Sequence, residues 1–150
     1  QVRRLVTAGA KYVVVSGLYD VSKSPWGVGT GQASMISNGV LKFNSALLLA
    51  INDLGANVLY IDAAYYYNLV IASPTSYALT DSTNVACTST DSGAGIGIGT
   101  GQVNSSLCTT STLASGIDYT KYTFADKLYF TPAAHVLYGT YAYGRMKARW

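Results

Sequence analysis

The chain has 150 residues, the length of one domain. Only 11% are charged, against about 25% in an ordinary soluble domain, while 49% are hydrophobic. The net charge of +3 comes from ten Lys/Arg and seven Asp/Glu, and the basic residues form no stripe interleaved with aromatics, so no nucleic-acid partner is expected.

Mean hydropathy is positive, at +0.22. The longest unbroken apolar run is SALLLAI at 45–51, short of the roughly 18 residues a membrane helix needs, so no membrane span is expected. An apolar chain with no membrane to enter has surface meant to be covered by something else.

In chain order, Gln1 to Ala8 reads as the end of a helix with Gly9 as its C-cap, as though the chain opened inside a longer structure. Residues 11–16 and 57–62 are short continuous apolar runs, the pattern of buried parallel strands. Between them Val40, Phe43, Leu47, Ile51 and Leu54 recur at spacings of three and four, which predicts a helix from about Gln32 to Leu54. Strand, helix and strand make a right-handed βαβ unit. Its first strand keeps an unpaired edge, and bare edges invite pairing with another chain.

A short helix is predicted from Ala64 to Ala72, stopped by Ser73-Pro74. Residues 80–123 read as a long loop region. Within it GAGIGIGTG (93–101) sets Ile96 and Ile98 between glycines, either as a flexible loop or as a thin strand. It lacks the Lys-Ser/Thr ending of a phosphate loop. The last helix opens with Thr131 as N-cap and Pro132 at its first position, and should run to about Lys147.

Cys87 and Cys108 flank the glycine-rich segment with no histidine nearby, which argues against a metal site. They are expected to form a disulfide worth roughly 3 kcal/mol in chain entropy and at home in an oxidising compartment, the alternative being two free thiols. Ser16, Ser22, Asp20 and Asp62 follow the two strands and are read as turn and cap residues.

The thirteen tyrosines carry a further signal. Tyr65, Tyr66 and Tyr67 are consecutive, so on a helix they point in three directions and cannot all be core. Tyr138, Tyr141 and Tyr143 line the last helix. Tyrosine buries area while keeping a polar tip, as interfaces require. Tyr65, Tyr66, Tyr67, Tyr138 and Tyr141 are therefore expected assembly residues, with Ile96 and Ile98 as a candidate donated strand.

Five stretches carry a resemblance: GAKYVVVSGLYDVSKSPWG (9–27), FNSALLLAI (43–51), NVLYIDAAYYYNLVIASPTSYAL (57–79), NVACTST to SSLC (84–108) and YTFADKLYFTPAAHVL (122–137). In this order they resemble the C-terminal half of an SGNH (GDSL-type) esterase, of the kind found as secreted or autotransporter passengers in Gram-negative bacteria. The resemblance implies an α/β fold, the C-terminal βαβ part of a flavodoxin-like α/β/α sandwich. One incomplete domain would span 1–150.

The resemblance also implies a Ser-His-Asp mechanism with an oxyanion hole. No Gly-Asp-Ser nucleophile motif occurs here. Asp126 matches the family's Asp, but Tyr129 stands where its His should be, and a phenol holds its proton at pH 7. His135, the only histidine, matches a second family His read as structural, and is a weak candidate base. No catalytic residue, metal ligand or cofactor follows with assurance from this pattern.

Three functions are compatible with these residues. The first is a catalytically incomplete, esterase-derived subunit that assembles extracellularly with copies of itself into filaments or large oligomers. The second is half of an active ester hydrolase that works with a missing N-terminal half. The third is a secreted module whose aromatics bind carbohydrate or lipid.

Overall fold

The computed structural model describes residues 1–150 and shows a mixed α/β fold with three two-stranded sheets. Helix α1 (Val2–Thr7) ends at Ala8, and Gly9 turns the chain with φ +95°. That left-handed conformation suits glycine and redirects the backbone into β1 (Val13–Ser16). The β-branched run of β1 lies parallel to β2 (Val58–Ile61), in register from Val13–Val58 to Ser16–Ile61.

The crossover between them is α3 (Ala33–Ile51). It stops earlier than the apolar spacing predicts. Gly55 takes φ 63°, ψ −136°, and the chain tightens into a 3-10 turn over Asn52–Asn57. Ahead of α3 lies a short helix, α2 (Pro25–Gly29), that the sequence reading does not contain. Ser24 caps it by accepting from the Gly27 amide at 3.0 Å. Gly27 is required there, because a Cβ would stand 2.2 Å from the Val21 carbonyl oxygen.

Helix α4 (Ala63–Ala72) starts under Asp62, whose Oδ1 accepts from the Tyr65 amide at 2.9 Å. The region 80–123 is more than a loop. Strand β3 (Asp81–Val85) runs parallel to β6 (Tyr122–Phe124), and β4 (Thr90–Asp91) pairs antiparallel with β5 (Gln102–Val103). Asp81-Ser-Thr-Asn has no apolar alternation to announce a strand, so only pairing with the buried Thr123–Phe124 segment makes it one. Helix α5 (Pro132–Arg149) begins as expected, with Thr131 Oγ1 accepting from the Ala134 amide, and extends beyond Lys147.

Two apolar cores result. The larger joins Ala63, Tyr66, Tyr67 and Val70 of α4 to Leu79, Phe124, Phe130 and Ala134. The smaller holds only Val13, Ile51 and Val58. Of nineteen residues in α3, only Val40, Asn44 and Ile51 are buried.

The span Ala33–Asn57 is long and apolar enough, by length and composition, to cross a membrane, which the count of unbroken apolar runs did not anticipate. Here Asn44 docks it to the fold, accepting from the Leu18 amide and donating to the Leu18 carbonyl, both at 2.8 Å.

Candidate functional site

The loop between β6 and α5 is held by one carboxylate. Asp126 is fully buried, and its Oδ1 accepts from the amides of Leu128 at 2.8 Å and Tyr129 at 2.7 Å. Its Oδ2 accepts from the Ser105 amide at 2.9 Å, which ties the disulfide-bridged segment to the same turn. Tyr19 adds a bond from its hydroxyl to the Leu128 carbonyl at 2.6 Å. The Thr131 hydroxyl donates to the Tyr122 carbonyl at 2.6 Å. A carboxylate engaged by three amides is an organiser of the turn and holds no imidazole.

The Tyr129 side chain leaves this turn for solvent and is 53% exposed. His135 lies exposed on the first turn of α5, edge-on to Phe130 with ring centroids 6.0 Å apart. The fold brings Asp126, Tyr129 and His135 into one loop–helix unit but forms no proton relay among them. Ser16 is instead paired with Tyr138, hydroxyl to hydroxyl, at 2.5 Å. Ser22 is bound to Asp20, which also accepts from Ser37. No group of three His, Cys, Asp or Glu side chains converges into a metal site.

Cys87 and Cys108 form a disulfide with Cα atoms 5.9 Å apart, which is consistent with an extracellular or periplasmic setting. The bridge forms one wall of a half-open cleft of about 460 Å³. Phe130, Thr131, Pro132 and His135 also line it. The Ser105 hydroxyl and the His135 imidazole both line this cleft, and neither is hydrogen-bonded within the chain. A second hollow of about 410 Å³, beside Tyr129 and Ile96, shares Ser105 and His135 with it.

The expected assembly residues divide. Tyr65 is 58% exposed and available to a partner. Tyr66 and Tyr67 are not, because the fold itself buries them. Tyr67 stacks on Phe130 at 3.8 Å between ring centroids, and Tyr66 stacks on Tyr141 at 4.4 Å. Tyr138 lies 5.3 Å from Tyr67. These rings join α4 to α5, so Tyr66, Tyr67, Tyr138 and Tyr141 serve the chain's own core. Burial pushes the phenols of Tyr19 and Tyr67 far above the ordinary tyrosine range, and raises Tyr66 and Tyr138 as well.

Ile96 and Ile98 are half-buried in a run of turns, with positive φ at Gly95, Gly97, Gly99 and Gly101. No extended strand exists there to donate.

The apolar surface lies elsewhere. Leu41, Phe43 and Leu49 of α3 are exposed by 64%, 51% and 76%, and Val14 and Leu18 beside β1 by 41% and 45%. These positions lie on several sides of α3, whose single charge is Lys42. A helix with apolar residues on several sides is of the kind that packs inside a larger body or spans a membrane. The scarcity of charge over 33–51, Lys42 alone, was the available signal for this surface; a one-face reading of the helix hid it.

No protein-family model matches the chain, and no curated protein is significantly similar to it.

Proposed function

We propose that this chain is a catalytically silent, esterase-derived structural subunit that associates with copies of itself outside the cytoplasm. The observation that carries the reading is its surface. The accessible area is 8619 Å² for 15.9 kDa, whereas a compact monomer of that mass exposes roughly 7,300 Å². The excess is larger than the ~800 Å² per partner of a standard interface. It coincides with an apolar helix beside a sheet of only two strands. The Asp126 turn adds support, since its carboxylate is consumed by backbone amides and the following tyrosine faces water.

Light scattering with negative-stain electron microscopy of the purified chain tests this. Regular oligomers or filaments are expected, and Leu41→Glu with Leu48→Glu, both exposed positions of α3, should release monomers of unchanged thermal stability. A wild-type chain that stays monomeric at high concentration overturns the proposal.

One observation favours a second reading. In a doubly wound sheet further parallel strands would pair beside β1, so an N-terminal half of the same fold would cover the same region. Ester hydrolysis that appears when such a half is added, and vanishes in His135→Ala, would select that reading.

A further inference from the structure

We propose that the cleft between the disulfide-bridged segment and the start of α5 binds a small aromatic carboxylate of one or two rings. The proposal is independent of the assembly reading, because the cleft is lined by neither α3 nor β1. Its volume of about 460 Å³ falls within the range of small-molecule sites and is too small for a docked helix. Ala86, Leu113, Ala125 and Phe130 supply an apolar lining, and the Cys87–Cys108 sulfurs extend it. Tyr119 and Phe130 contribute rings, against which a flat ligand gains offset or edge contacts.

The polar groups select the head. Ser105 presents a hydroxyl and His135 an imidazole, both donors without an internal partner. The one buried side-chain polar atom left unpaired is Asn68 Oδ1, which lines a separate hollow, so neither cleft donor is a sealed defect of the core. No acidic side chain lines the cleft. Asp126, which lies behind Ser105, spends its carboxylate on three amides. An incoming carboxylate therefore meets donors and no competing acceptor of like charge. The disulfide ties the Ser105–Leu113 segment of the lining to Cys87, just past β3, so the site depends on an oxidised chain.

Titration of the full oxidised chain with 2-naphthoate, followed by its fluorescence, tests the site. Saturable one-to-one binding is expected. His135→Ala should weaken it about tenfold, as loss of one hydrogen bond to a charged group does. Thr110→Trp, at an exposed position on the cleft, should abolish it by filling the space. Leu41→Glu with Leu48→Glu should leave the affinity unchanged. Absence of saturable binding overturns the proposal. Equal affinity in wild type, His135→Ala and Thr110→Trp overturns it too. Neutral 2-methylnaphthalene binding as tightly as the acid overturns the carboxylate assignment.

Discussion

The half of the molecule built on α4, α5 and the β3–β6 pair differs sharply from the half built on β1, β2 and α3. In the first, eight buried residues form a continuous core, and stacked tyrosines and phenylalanines close the α4–α5 contact. In the second, three buried residues support a nineteen-residue helix on which Leu41, Leu48 and Leu49 face water. Both halves are apolar in sequence. The first satisfies its apolar groups within the chain, and the second leaves many of them exposed. Apolar composition alone therefore does not distinguish a core from an exposed surface. What distinguishes them is whether the chain returns to cover the residues, as α5 does for α4 and nothing does for most of α3.

Truncating one ring in each half gives the largest expected contrast. Phe124 is fully buried, and Phe124→Ala should cost about 3–5 kcal/mol, lowering the thermal midpoint by about 10 °C. Phe43 on α3 is 51% exposed, and Phe43→Ala should change the stability of the dispersed chain by no more than about 0.5 kcal/mol. Thermal unfolding followed by circular dichroism reads both. Equal losses would mean that the α3 half is as well packed as the other.

The disulfide sharpens the comparison inside the first half. Cys87→Ser with Cys108→Ser should cost about 3 kcal/mol by the loop-entropy estimate for a separation of 21 residues. Hydrogen exchange should locate the loss in β4, β5 and the Ser105–Leu113 segment, with α3 unchanged. Protection lost equally across α3 would show that the two halves unfold as one unit.

A smaller effect should appear in alkali. Burial raises the phenols of Tyr19 and Tyr67 in the folded chain, so these side chains stay protonated where unfolded tyrosine ionises. The unfolded state then binds fewer protons, and stability falls as pH rises past about 10 while remaining intact below it. Midpoints recorded from pH 8 to 11 should decline, and Tyr67→Phe should flatten that decline. A decline of the same slope in the variant would remove Tyr67 from the account.

Much of this architecture is legible in residue patterns. The valine run of β1 and its counterpart in β2 announce a parallel pair, and Thr131-Pro132 announces the start of α5, because β-branching and capping act over a few residues. Asp62 as a cap is legible for the same reason. β3 is not, since four polar residues become a strand only by lying beside β6. The role of Asp126 is not legible either. A motif suggests an acid beside a base, while the amides of Ser105, Leu128 and Tyr129 that claim it converge only in the folded chain.

The sequence by itself determined the βαβ unit, the caps at Asp62 and Thr131 and the absence of a Gly-Asp-Ser motif, because these depend on residue identity and short-range sterics. Tertiary structure decided which tyrosines are core, that the cysteines are joined, that Ile96 and Ile98 lie in turns, and that α3 carries the open apolar surface. Burial and pairing depend on which distant segment packs against a residue, and local sequence does not encode that placement.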